Sequence, residues 1–93
     1  MSLTLQNPLK DPSAVLDYVF DWTDWLASGE TIISHTITAD TGITVESSTE
    51  DAGKVTVWLS GGTAGINYKV ACLITTSAGR TDERTIWIKV VER

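Results

Sequence analysis

Apolar side chains in this chain return at every second position, in short runs broken by glycine, proline, asparagine and aspartate, and no helical spacing persists beyond about one turn. A period of two sets alternate side chains on opposite faces of an extended strand, so each run has one face to bury and one to leave outside. Tyr18, Phe20 and Trp22 alternate with Val19 and Asp21, and Val55, Val57 and Leu59 alternate with Thr56 and Trp58. Tyr68, Val70, Cys72 and Ile74 share one side of a run from Ile66 to Thr76, and Ile86, Ile88 and Val90 alternate with Trp87 and Lys89. The β-branched run Thr31 to Thr38 is expected to place Ile33, His35 and Ile37 on one face, with Ile32, Ser34, Thr36 and Thr38 on the other. Ile43 to Val45 reads as a short strand, Ser47 to Gly53 as a polar, acidic loop, and Thr23 as the cap of a single helical turn reaching Leu26. Turns are expected at Asp40-Thr41-Gly42, at Gly61 to Gly65, and at Ser77 to Asp82.

About seven strands at this spacing, in a chain of 93 residues, specify one all-β domain, an immunoglobulin-like β-sandwich of antiparallel strands. Cys72 is the one cysteine, so no disulfide joins the sheets and the fold relies on its aliphatic and aromatic core. The expected organisation is an N-terminal arm or edge strand over 1–12, bounded by Asn7-Pro8 and Asp11-Pro12, followed by the sandwich over 13–93.

Charge and motif spacing exclude several function classes. A formal charge of −5 repels a phosphate backbone, so nucleic acid is not an expected partner. No apolar run nears the roughly 20 residues that span a bilayer, and the start of the chain lacks the pattern of a secretory signal, so neither a membrane nor export is expected. Ser34 precedes His35 but alternation sends it to the opposite face, and no cysteine or second histidine lies near in sequence to suggest a triad or a metal site. Asp17, Asp21, Asp24 and Glu30 match no calcium-loop spacing, and Gly61 to Gly65 lacks both the following lysine and the helix of a phosphate cradle. Cys72 sits in an apolar run where a small buried thiol packs well. No catalytic residue, metal ligand or cofactor is expected.

The four tryptophans are the unusual feature. Trp22 extends the inward alternation of Tyr18 and Phe20, and Trp25 falls in the turn that closes one end of the sandwich. Trp58 and Trp87 fall opposite the aliphatic residues of their strands, where a partner surface or a sugar platform would place them unless a loop or the N-terminal arm folds over them.

Four stretches are similar to a known family: Asp11 to Tyr18, Asp21 to Leu26 with Gly29 to Ile32, Val57 to Gly65 (Val-Trp-Leu-Ser-Gly-Gly-Thr-Ala-Gly), and Ile74 to Arg84 (Ile-Thr-Thr-Ser-Ala-Gly-Arg-Thr-Asp-Glu-Arg). From about Asp11 onward the chain resembles the fiber-tail adaptor or neck-region structural proteins of tailed bacteriophages. The resemblance implies a non-enzymatic virion component, made and folded in the bacterial host cytoplasm. It implies several copies arranged in a ring around the tail or neck, joining tail or neck proteins to fibers through protein-protein contacts. A carbohydrate-binding or capsid-decorating sandwich that mediates adhesion is the alternative. The candidate partner-binding residues are Leu3 and Leu5, whose alternation suits strand addition to a neighbouring sheet, together with Trp58 and Trp87, and Arg80 and Arg84. The two arginines belong to a charged hairpin tip that either contacts a partner or solubilises the turn.

Overall fold

The computed structural model describes residues 9–92. Seven strands follow one another: β1 (Leu9–Lys10), β2 (Leu16–Asp21), β3 (Ile32–Ala39), β4 (Ile43–Asp51), β5 (Lys54–Gly61), β6 (Asn67–Thr76) and β7 (Thr81–Val90). They form two sheets, one of order β1-β7-β6-β3 and one of order β2-β5-β4, and the described residues contain no helix. Every pairing is antiparallel except that of β1, which runs parallel to β7 with Leu9 opposite Lys89.

The inward positions of both sheets meet in one core. Phe20 and Trp22 from the β2 segment, Val55, Val57 and Leu59 of β5, Tyr68, Val70, Cys72 and Ile74 of β6, and Ile88 and Val90 of β7 are buried together. Alternation therefore sorted these strands as their sequence predicts, with the aliphatic face inward.

Three local readings are corrected. The register of β3 against β6 slips between Ile32 and Ser34, and this bulge turns Ile32 inward while leaving Ile33 65% exposed. His35, Ile37 and Ala39 then share the inner side with Ile32, contrary to strict alternation from Thr31. Ser47 to Gly53 is not a loop: β4 runs to Asp51, pairs with β5 throughout, and turns in two residues, Ala52 and Gly53. Its polar composition suits an edge strand, and the bulge near Glu46 hides the period. The segment after Trp22 makes one turn, Leu26 N donating to Trp22 O at 3.0 Å, but the cap is Asp21. Asp21 Oδ1 accepts from both Thr23 N (2.9 Å) and Thr23 Oγ1 (2.6 Å), which holds its carboxyl below the usual range.

Lys10 fastens the edge strand. Its side chain is buried, and Nζ donates to Gly61 O at 2.6 Å and to Asp11 O at 3.0 Å, linking β1 in one sheet to the end of β5 in the other. Burial pushes its pKa down, with Asp11 opposing. The turn that receives it must be glycine: a Cβ on Gly62, at φ +98°, would lie 2.6 Å from Val90 Cγ2.

Candidate functional site

Trp58 and Trp87 are both exposed, at 42% and 45%, and no loop among the described residues covers either. They point away from each other. Trp58 is on β5, the central strand of the three-stranded sheet, and Trp87 is on β7 in the four-stranded sheet, so each indole stands on the outer face of a different layer. No flat ligand stacks on both at once.

The register defines each face. Around Trp58 lie Asp17 on β2 and Ser47 on β4, directly opposite it, with Val19 (52% exposed) and Thr49 flanking Thr56 one pleat away. Asp21 and Asp51 flank Lys54 at the end of the same face, and Glu46 reaches Ser60 Oγ at 2.5 Å. Around Trp87 lie Lys69, directly opposite on β6, and Lys89, two residues along β7. Leu9 on β1 sits beside Lys89, Asp40 accepts from Lys69 N at 2.8 Å, and Leu73 on β6 opposes Glu83, four residues along β7 from Trp87.

The end of the sandwich is closed by alternating rings and cations. Trp22 and Trp25 meet edge to face at 5.4 Å, the Arg84 guanidinium lies 4.2 Å from the Trp22 centroid, and that of Arg80 lies 3.9 Å from the Trp25 centroid. Arg80 also pairs with Glu30 and donates to Trp25 O, while Arg84 donates to Asp21 O at 2.7 Å. Both arginines of the hairpin tip are thus bound within the chain, although their residues remain exposed. Glu30, which anchors Arg80, lies fifty residues from it in sequence, so no local pattern marks the pair. Leu3 and Leu5 lie outside the described residues.

The groups weighed for chemistry have structural roles. His35 Nε2 is 3.0 Å from Ser48 Oγ and joins β3 to β4 across the two sheets. Cys72 is buried, and burial pushes its thiol pKa up, with the Trp22 side chain opposing, which keeps sulfur in the unreactive form. Among the described residues no three His, Cys, Asp or Glu side chains are grouped to hold a metal ion, and no helix is long and apolar enough to cross a membrane.

A family model described as podophage GP4 fiber-tail adaptor protein gp77 matches residues 10–89, from Lys10 in β1 to Lys89 in β7. The chain belongs to this family. No curated protein matches the chain. The resemblance read from the Val57 to Gly65 and Ile74 to Arg84 runs is confirmed, since both runs lie within the matched residues, at the end of β5 and in the β6–β7 hairpin. Membership in a fiber-tail adaptor family gives the chain a structural role in a phage particle. The described residues leave one tryptophan exposed on the outer face of each sheet, and Arg80 and Arg84 close one end.

Proposed function

We propose that the chain is a non-catalytic joint of the phage particle, folded in the host cytoplasm and assembled in several copies, that connects tail or neck proteins to fibers through its outer sheet faces. The observation that carries this reading is the pair of indoles left exposed on opposite faces of one small sandwich. A residue of that size held in water on a rigid strand costs solvation until a partner covers it, and tryptophan at the centre of a patch is the typical anchor of an interface. Two such faces on opposite sides let one domain bridge two neighbours. Arg80 and Arg84, already held by rings and carbonyl oxygens, add an ordered polar rim at the end.

The test is made on particles. In a phage whose own copy is replaced by a Trp58→Ala, Trp87→Ala chain, purified particles should lose fiber density at the tail while heads and DNA content stay normal. Particles that keep full fiber occupancy with both indoles removed, in a chain shown to be folded by circular dichroism, would overturn the reading.

A further inference from the structure

The edges of the two sheets are not equally guarded against further pairing. Natural edge strands are kept from adding neighbours by shortness, charge, proline or bulges. Strand β1 is two residues long, and the stretch of β7 beyond it carries Asp82, Glu83 and Arg84. Strands β3 and β4 each carry a bulge, at Ile32/Ser34 and Val45/Ser47, and His35 ties one to the other through Ser48. Of these devices β2 has only two charges, Asp17 and Asp21, and it pairs with β5 in unbroken register from Leu16 to Asp21. Its other edge is open in the sheet order β2-β5-β4. Trp22 N donates to Gly53 O at 3.0 Å, so Leu16, Tyr18 and Phe20 also turn their backbone groups toward β5, and Asp17, Val19 and Asp21 turn theirs outward. Arg84 takes Asp21 O at 2.7 Å from that side. The backbone N–H and C=O groups of Asp17 and Val19 have no partner among the described residues. Val19 is 52% exposed, and Leu16, although it faces the core side opposite Leu59, is 37% exposed.

We propose that the open edge of β2 takes an extended segment of a partner protein as a fourth strand of its sheet. Strand addition draws affinity from main-chain hydrogen bonds, here those of Asp17 and Val19, and specificity from alternate side chains. Directly opposed side chains on neighbouring strands share a face, so β2 dictates the pattern of its partner. Asp17 and Asp21 require lysine or arginine four residues apart, and Val19 requires an aliphatic residue midway. Leu16 and Tyr18 require aliphatic residues on the inner face, where these cover the open side of the core. A second copy of this chain does not offer such a segment. Arg80 and Arg84 are four apart, but Asp82 stands between them and both guanidinium groups are held within the chain. Lys89 and Arg93 are four apart as well, but Lys89 and Val90 already pair in β7. The partner is therefore another protein with a cationic and aliphatic strand. The added strand has β2 between it and Trp58, so this contact goes beyond the two outer faces of the adaptor reading.

The test uses the purified full-length chain and a synthetic peptide, Thr-Lys-Ile-Val-Ile-Lys-Thr, capped at both ends, whose palindromic order fits either strand direction. On addition of the peptide, hydrogen exchange of the Asp17 and Val19 amides, followed by NMR, should slow at least about tenfold while the amides of β7 are unchanged. The same peptide with proline in place of the central valine should bind at least about tenfold more weakly, since the residue opposite Val19 must donate its N–H. Asp17→Lys, checked for folding by circular dichroism, should weaken binding about fivefold at low salt. Glutamate in place of one peptide lysine should restore it, and which lysine serves reports whether the added strand runs parallel or antiparallel. Protection confined to other residues, or none at the solubility limit of the peptide, overturns the edge contact. Equal affinity of the valine and proline peptides overturns it too. None of these outcomes touches the adaptor reading, which stands or falls on particles carrying the Trp58→Ala, Trp87→Ala chain.

Discussion

Glu30 is held by three donors at once. Arg80 reaches both carboxylate oxygens at 2.5 and 2.9 Å, Thr76 Oγ1 donates to Oε2 at 2.5 Å, and Ala27 N donates to Oε1 at 2.9 Å. These bonds, that of Arg80 first, hold its pKa down at about 2. The direction of the linkage follows from that value. A carboxylate whose pKa is lower in the folded chain than in the unfolded one stabilises the fold above its unfolded pKa, near 4.5, and loses that contribution as pH falls toward 2. Asp21 titrates low as well, so the informative quantity is a difference between chains. The urea midpoint of the native chain should fall more steeply between pH 4.5 and 2 than that of Glu30→Gln, and the two should run parallel above pH 5. Parallel curves throughout would show that Glu30 is equally free in both states.

At the scale of elements, the β4–β5 hairpin turns in two residues that both have positive φ, Ala52 at 51° and Gly53 at 87°, between the paired residues Asp51 and Lys54. This is the mirror-image turn whose twist matches the strands, and its first position favours asparagine, since a Cβ-bearing alanine in the left-handed region is strained by roughly 1–2 kcal/mol. Ala52→Asn should therefore raise stability by about 0.5–1 kcal/mol, read as a higher urea midpoint with an unchanged slope. A lower midpoint would mean that the turn does not hold its left-handed backbone in solution. The same hairpin shows where sequence reading fails. Strands β5, β6 and β7 were legible because one face of each is aliphatic and the other is not. Strand β4 is an edge whose inner positions include Ser48 and Glu50, and its bulge shifts the alternation, so nothing in Ser47 to Asp51 marks it as extended. The β3 bulge likewise exchanges Ile32 for Ile33, because slippage of one residue is set by the partner strand β6 and leaves no local mark.

For the whole molecule, strand parity alone turned Trp58 and Trp87 outward, but it could not say that they face opposite ways. That depends on which sheet each strand joins, and therefore on pairings between residues as distant as Leu9 and Lys89. Nor does the linear sequence place the charges around each indole: Asp17, Glu46 and Asp51 gather on the Trp58 face, and Lys69 and Lys89 flank Trp87, with Asp40 beyond Lys69 and Glu83 farther along β7, only once β2, β4 and β5 have formed one layer and β6 and β7 another. This placement has an optical consequence. Trp22 is fully buried and Trp25 is partly covered, so the quenchable emission comes mainly from the two exposed indoles. In Trp58→Phe the exposed emitter is Trp87, beside two lysines, and iodide should quench it on the order of twofold better than caesium at low salt. In Trp87→Phe the emitter is Trp58, beside Asp17 and near Glu46, and caesium should be the better quencher. Neutral acrylamide should act equally on the two variants, and added NaCl should shrink both ionic preferences together. If iodide and caesium rank identically in the two variants, the immediate surroundings of the two indoles carry no opposed potential.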